Sequence, residues 1–374
     1  MTTTVAKTSA LRTPMCERLN IEVPIILAGM GTASGPELTA AVSNAGGLGV
    51  LGCTGQTPDE MRDNIRRVKE LSDRPFGVDI ILPAQMGHEP VTWAEILTKI
   101  PDEHKHYVDQ LQKELGLPQM TPELVSKYFA GRPALGTGID DQIQVILDEK
   151  VAVFASGLGS PGFMVDRAHA QGMLVMSVVG TVRAAQKCVD AGADMIVAQG
   201  YDGGGHTGQI GTYVLIPQVV DAVPSVPVIG AGGVSDGRGV AAAIALGCQG
   251  VWVGTRFLAT KEANIPDWKK QQIVEAKDRS TLITRSYTGK PCRVIKNNWT
   301  EAWENAPVEP LPMPLQPALT RPYLETDGEK HQLGANLAGQ GSGLVNDIQS
   351  AADVVRELVE GAEKVIERLT SKGD

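Results

Sequence analysis

Residues 174–208 read LVMSVVGTVRAAQKCVDAGADMIVAQGYDGGGHTG, and the order of patterns inside this stretch decides the fold. A short apolar run, Leu174–Val179, gives way to a segment of helical period, Val182–Ala191. The helix stops at Ala191-Gly192, and a second apolar run, Met195–Ala198, follows almost at once. A helix ended by glycine and followed directly by a doubly buried strand is the turn of a wound α/β fold.

Outward from this unit the same rhythm repeats. Further candidate strands are Val23–Ala28, Leu48–Leu51, Phe76–Leu82, Val151–Ala155, Val226–Gly230 and Gly250–Val253, which brings the number to eight. Helical segments separate them at Pro36–Ala45, Pro58–Leu71, Pro161–Gln171 and Gly237–Ala245, with proline opening several and Ala-Gly or Leu-Gly closing others. Eight βα units favour an α/β fold closed as a (β/α)8 TIM barrel over an open sheet. Residues 14–374 are expected to form one domain, after a flexible stretch at 1–13.

Residues 83–140 break the rhythm after the third strand and read as a helical lid over the active face of the barrel, with Trp93, His104, His106 and Tyr107 as polar and aromatic features. A solvated helical face is an equally good reading of that cluster. Residues 261–374 are expected to pack on the barrel as an extension. Within it Lys261–Asp278 reads as helical, Pro307–Pro322 as extended and Ile348–Leu369 as an amphipathic helix.

Composition narrows the function classes. The net charge is −9, and no basic run interleaves with aromatics, so nucleic acid is an unsuitable partner. The apolar fraction of 42% suits a soluble globular chain rather than a membrane one. Cys16, Cys53, Cys188, Cys248 and Cys292 are scattered without metal-site spacing and read as reduced thiols, so no metal is expected. The polar N-terminal stretch lacks an apolar leader core, which makes the cytoplasm the expected location.

Four glycine-rich loops carry the chemistry. Ala231-Gly232-Gly233-Val234 and Gly254-Thr255-Arg256-Phe257 follow the seventh and eighth strands, where barrels hold phosphate on backbone N–H groups at helix starts. Gln199–Gly208 follows the sixth strand; its three consecutive glycines can lie against a planar cofactor and present His206 at the barrel mouth as an acid or base. Ala28-Gly29-Met30-Gly31 follows the first strand. The glycines around Gly46 read as mainly structural. Nucleotide-binding GxGxxG, P-loop, HExxH and GxSxG patterns are missing at the positions those folds require.

These residues resemble the nitronate monooxygenase (2-nitropropane dioxygenase-like) family. The resemblance runs through Val42–Gly49, Pro75–Val78, Ala198–Gly208, Pro217–Val223, Ala231–Gly233, Gly254–Ala259 and Ala338–Leu344. It implies an FMN-dependent TIM barrel in which Met30 and Gly31 lie beside the flavin and Gln199 hydrogen-bonds it. Gly204 and Gly205 would approach it closely, while Gly232, Gly233, Gly254 and Thr255 would hold its phosphate. It further implies His206 as the catalytic base and Gln340 as a late cofactor neighbour.

Two reactions fit this resemblance: oxidation of alkyl nitronates or nitroalkanes with oxygen, and NAD(P)H-dependent reduction of quinones or enoyl thioesters. A non-catalytic binder of a flavin or phosphate ligand is a third reading, which His206 argues against. The expected partner is a small-molecule substrate, with a homodimer as the candidate assembly. The chain departs from the family at Asp79, where an Asn is usual. This replaces an amide with an expected anion close to the cofactor. It departs again at Leu27-Ala28-Gly29-Met30, which lacks the usual Gln of the first strand.

Overall fold

The computed structural model describes residues 11–82, 92–132, 134, 138–326 and 332–371. Eight parallel strands form its centre: β1 (Ile25–Leu27), β2 (Gly49–Gly52), β3 (Phe76–Ile81), β4 (Val153–Gly157), β5 (Leu174–Val179), β6 (Met195–Gln199), β8 (Val228–Ala231) and β9 (Gly250–Val253). Their order is β1-β9-β8-β6-β5-β4-β3-β2. The ring closes where Leu27 N–H donates to the Leu48 carbonyl and Leu48 N–H to that of Ile25, both at 2.9 Å. The result is the expected TIM barrel, with each strand within two or three residues of its expected bounds at either end.

Alternation along each strand builds two cores. Ile26, Val50, Ala155, Val197, Ile229 and Trp252 pack together inside the barrel. Their neighbours Ile25, Leu27, Ile196 and Val251 pack outward against the helices, as do Leu51 and Phe154. Both faces of every strand are dry, which is why the runs are continuously apolar. The helix Pro14–Leu19 closes the bottom of the barrel with Met15, Cys16 and Leu19. Leu11 is buried and the Thr13 hydroxyl donates to the Gln249 carbonyl at 2.6 Å; the rest of the expected flexible stretch, residues 1–10, lies outside the described residues.

The helices start and stop for the expected reasons. Thr57 caps Pro58–Leu71 in a reciprocal capping box with Glu60, and the Asp236 carboxylate accepts from Arg238 and Gly239 N–H to start Gly237–Ala245. Gly46, Gly192 and Gly247 end their helices with φ of 91°, 94° and 98°, a region where side chains are strained. The glycines around Gly46 are structural: a Cβ on Gly47 would lie 2.6 Å from the Ile25 carbonyl oxygen.

The insertion is helical where described, at Trp93–Thr98, Asp102–Glu114 and Pro122–Phe129; residues 83–91, 133 and 135–137 lie outside the described residues. The extension differs from its sequence reading in two places. Lys261–Asp278 is not one helix: Pro266, which cannot occupy a helix interior, precedes a shorter helix at Asp267–Glu275. Residues 307–322 are not all extended, because Leu315–Leu324 is helical. Pro317 falls in its first turn, where no N–H partner is needed, and burial of Gln316, Leu319, Thr320 and Leu324 outweighs the bond lost at Pro322.

Between these helices the extension holds two strands that the apolar patterning had not disclosed, β10 (Thr281–Thr284) and β11 (Cys292–Ile295). They join β7 (Gly205–His206) in an antiparallel sheet ordered β10-β11-β7. The terminal helix Ala351–Thr370 lies across Gly237–Ala245, and among the described residues no helix is long and apolar enough to cross a membrane.

The crossing of these two helices is glycine-dependent, since a Cβ on Gly237 would sit 2.3 Å from backbone atoms of Gly361 and Ala362. Gly237→Ala should therefore destabilise the fold by about 1–3 kcal/mol despite alanine's better helix propensity, and equilibrium urea unfolding would measure it. An unchanged or raised midpoint would show that the helices can separate without loss.

Candidate active site

A cavity of about 1170 Å³ opens at the C-terminal ends of the barrel strands. It gathers Ala28, Gly29, Met30 and Gly31 after β1, Asp79 on β3, and Gln199 with Gly204, Gly205 and His206 after β6. Ala231, Gly232 and Gly233 join them after β8, and Gly254 and Thr255 after β9. Gln340 is not brought there: the residue is exposed, its backbone N–H donates to the Asp202 carbonyl at 2.9 Å, and the neighbouring Gly341 lines the cavity instead.

The wall has room for a flat ring and a phosphate. At Gly31, Gly157 and Gly205 an added Cβ would meet no atom within 4 Å, so these glycines leave uncovered space at the cavity surface. Gly232 and Gly233 both adopt positive φ, 98° and 78°, which turns successive backbone groups as an anion-binding loop requires. The Ser235 hydroxyl beside them is buried and lacks a hydrogen-bond partner among the described residues. Thr255 begins the one-turn helix Thr255–Leu258 and accepts from Gly339 N–H at 2.9 Å. Arg256, buried, ties that turn to Asp347 at 2.8 Å.

His206 is held by backbone pairing rather than by its loop. β7 pairs with β11 so that His206 faces Cys292 and Gly205 faces Arg293. Gln199 Nε2 donates to the His206 carbonyl at 2.8 Å, so its amide fixes the loop from the barrel side. The imidazole Nε2 lies 3.1 Å from the Thr288 hydroxyl. Burial, and then the nearby Lys290 ammonium, hold the imidazole pKa below its ordinary value, so the ring is neutral at pH 7. Thr288 and Lys290 were not singled out in the sequence. The available signal was a hairpin pattern, two short runs rich in β-branched residues around a loop containing Gly289.

Asp79 departs from the sequence reading. Its side chain is buried, Oδ1 has no hydrogen-bond partner among the described residues, and Gly29 is packed so closely against it that a Cβ there would lie 2.3 Å from the Asp79 Cβ. Burial without a compensating cation pushes its pKa up to about 7, so the carboxyl is substantially protonated at neutral pH rather than a fixed anion. Among the described residues its carboxyl makes no hydrogen bond to His206, whose ring partner is Thr288.

The insertion cluster divides. Trp93 lines the cavity, stacked on Phe129 at a centroid distance of 4.4 Å. His104 Nε2 lies 3.0 Å from the Glu309 carbonyl, and the Tyr107 hydroxyl donates to the Ala302 carbonyl at 2.7 Å, so both bind the insertion to the extension. His106 is exposed. From the same region Tyr128, Phe129 and Arg132 reach the cavity, opposite Arg321 and Glu325 of the extension. Among the described residues no group of three or more His, Cys, Asp or Glu side chains is arranged to hold a metal.

Comparison with known proteins agrees with this architecture. The family model described as nitronate monooxygenase matches residues 12–361. A Mycobacterium tuberculosis protein named as a monooxygenase is 37% identical over 367 residues, covering 94% of this chain and 96% of that protein. A Staphylococcus aureus protein named as a nitronate monooxygenase is 33% identical over 317 residues, covering 82% of this chain and 84% of that one. The crystal structure of a nitroalkane oxidase from Streptomyces ansochromogenes superposes with a TM-score of 0.80 at 30% identity, covering 95% of this chain and 99% of the other.

The raised pKa of Asp79 has a consequence for stability. A carboxyl that binds its proton more tightly when folded stabilises the fold fully below its unfolded value, near 3.8, and loses that contribution as pH rises toward about 7. Relative to Asp79→Asn, the cofactor-free wild type should lose roughly 1 kcal/mol per pH unit across this window. Urea unfolding of both proteins at pH 5 and pH 8 measures the difference, and parallel pH dependences would refute a buried, unpaired carboxyl.

Proposed function

The chain belongs to the nitronate monooxygenase family, and from that premise we propose that it is an FMN-dependent oxidoreductase that oxidises alkyl nitronates or nitroalkanes with molecular oxygen. That it is an oxidoreductase follows from the family; the cofactor and the substrate are our reading. The observation that carries it is His206, an imidazole kept neutral by burial and by Lys290 at the glycine-walled mouth of the barrel. A neutral imidazole can accept a proton at pH 7, and the proton α to a nitro group is acidic enough for a base of that strength.

The residues divide the work. The positive-φ pair Gly232-Gly233, with Ala231, Gly254 and Thr255, would hold the cofactor phosphate. Ala28, Gly29, Met30, Gly31, Gly204 and Gly205 would leave the ring accessible, with Asp79 at its edge. When bound, the flavin supplies the electron transfer between substrate and oxygen. Gln199 positions the His206 backbone, Thr288 orients the ring, and the imidazole takes the α-proton from a nitroalkane at Nδ1 or Nε2, whichever is unprotonated. Trp93 and Phe129 supply an apolar wall that limits water on the substrate side.

Anaerobic reduction of the flavin-loaded protein tests this reading. Bleaching near 450 nm on adding an alkyl nitronate, and slow or no bleaching with NADH or NADPH, is the expected result. Rapid bleaching by a nicotinamide alone would overturn it in favour of a reductase of quinones or enoyl thioesters, and a protein that takes up no flavin would overturn both.

With a nitroalkane as substrate, His206→Asn should lower kcat/KM by about 10²–10⁴-fold while flavin content is unchanged. Because the base must be unprotonated and its pKa is lowered, the acid limb of the wild-type kcat/KM profile should fall below the ordinary imidazole value of 6.5. A limb above that value would contradict the assignment.

A further inference from the structure

The chain is acidic overall, yet the cavity is not. Among the described residues Arg132, Lys187, Lys269, Lys290 and Arg321 line it, against two carboxyls, Asp79 and Glu325. Glu325 is engaged by Arg321 at 2.7 Å and by the Tyr128 hydroxyl. Asp79 is buried and, among the described residues, forms no ion pair. A cationic cavity in an anionic protein focuses field lines on its mouth and draws in ligands of negative charge.

Among these cations Lys290 is the one whose charge acts on His206. It lies in the β10–β11 loop and lines the cavity together with His206. The loop around it is rigid. Thr288 hydroxyl and Lys290 N–H lie 3.3 Å apart, Gly289 N–H donates to the Arg285 carbonyl at 2.8 Å, and Arg285 Nε donates back to the Gly289 carbonyl at 3.1 Å. Gly289, with φ of 77°, is pressed so closely against Leu311–Met313 that a Cβ would lie 2.4 Å from the Leu311 carbonyl oxygen. The Thr288 hydroxyl that receives this loop also meets His206 Nε2. The loop backbone is therefore fixed against His206, and its Lys290 lines the same cavity, near enough for its charge to act on the imidazole.

We propose that Lys290 is the anion anchor of the substrate site: it binds the delocalised oxyanion of a small organic acid, a nitronate, carboxylate or enolate, beside His206. This rests on the proposed function for the identity of the reacting substrate but not for the binding itself. The division of labour follows from the charges. A neutral imidazole carries no positive charge to offset an anion, and a protonated one could not act as base, so a separate cation supplies the charge that balances the one proton removal creates. Lysine suits this role because its compact ammonium donates to oxygens in several directions.

The test uses the flavin-loaded protein with nitrate and butyrate as unreactive anionic probes, titrated by calorimetry, in wild type, Lys290→Met and Lys290→Arg. Wild type should bind both probes, more weakly as salt is raised. The methionine variant should lose about tenfold or more in affinity, and the arginine variant should stay within about threefold, as expected for one charge-assisted contact. With nitronate as substrate, KM should rise in the methionine variant more than kcat falls, with recovery in the arginine variant. Wild type that binds neither probe, or a methionine variant that binds them as tightly as wild type, overturns the inference. Binding through Lys290 in a protein that does not oxidise nitronates would sink the monooxygenase reading and leave the anion site standing. Nitronate oxidation at wild-type KM by the methionine variant would do the reverse.

Discussion

The pairing of β7 with β11 is the interaction on which the site depends. His206 ends a run of three glycines, the least restrained backbone a chain can offer, and ordering each such residue costs about 1–2 kcal/mol of conformational entropy. Two residues of antiparallel ladder to Cys292 and Arg293, with the Gln199 amide on the His206 carbonyl, convert that mobile segment into a fixed support. Arg293 reinforces it by donating to the Tyr201 carbonyl at 3.1 Å while its guanidinium lies over the Tyr201 ring. The barrel brings the loop to its mouth, and the extension holds it there.

The same hairpin sets the electrostatics. By carrying Thr288 and Lys290 against His206, it keeps a cation near the imidazole and so favours the neutral ring. On the opposite wall Asp79 is buried with no cation of its own, and the nearby Cys53 thiol is pushed upward by burial and by the Asp79 charge. The two walls thus shift their titratable groups in opposite senses from the ordinary values. Both shifts favour uncharged forms, as a dry cavity demands.

The insertion and the extension are one outer layer rather than two appendages. Tyr107 packs edge-on to Trp303 at 5.2 Å, His104 meets the Glu309 carbonyl, and Tyr128 and Arg321 share Glu325. Gln316, fully buried, donates to the Ser286 carbonyl and accepts from Leu311 N–H, both at 2.8 Å, so the helix Leu315–Leu324 also braces the β10–β11 loop. Of the cluster that the sequence left open between a lid and a solvated face, His104 and Tyr107 are fasteners of this layer, while Trp93 faces the cavity.

Much of the molecule was legible in the sequence because its causes are local. Strands buried on both faces must be apolar at every position, and helices that turn straight into strands need a residue free to adopt positive φ. Met195–Gln199 and the Gly192 stop therefore appear in the chain as they do in space. The glycine loops and His206 were legible for the same reason. Gln340 was not, because a backbone contact at Asp202 and a lining role for Gly341 leave no trace in residue type. Nor was the protonated state of Asp79, which depends on what fails to surround it. The partners of His206 stand 82 and 84 residues along the chain, at Thr288 and Lys290. Sequence alone settled the barrel and its loops; only tertiary structure decided which distant strand fastens the histidine and which cation stands beside it, because antiparallel pairing between remote segments is specified by the packing around them and not by their own pattern.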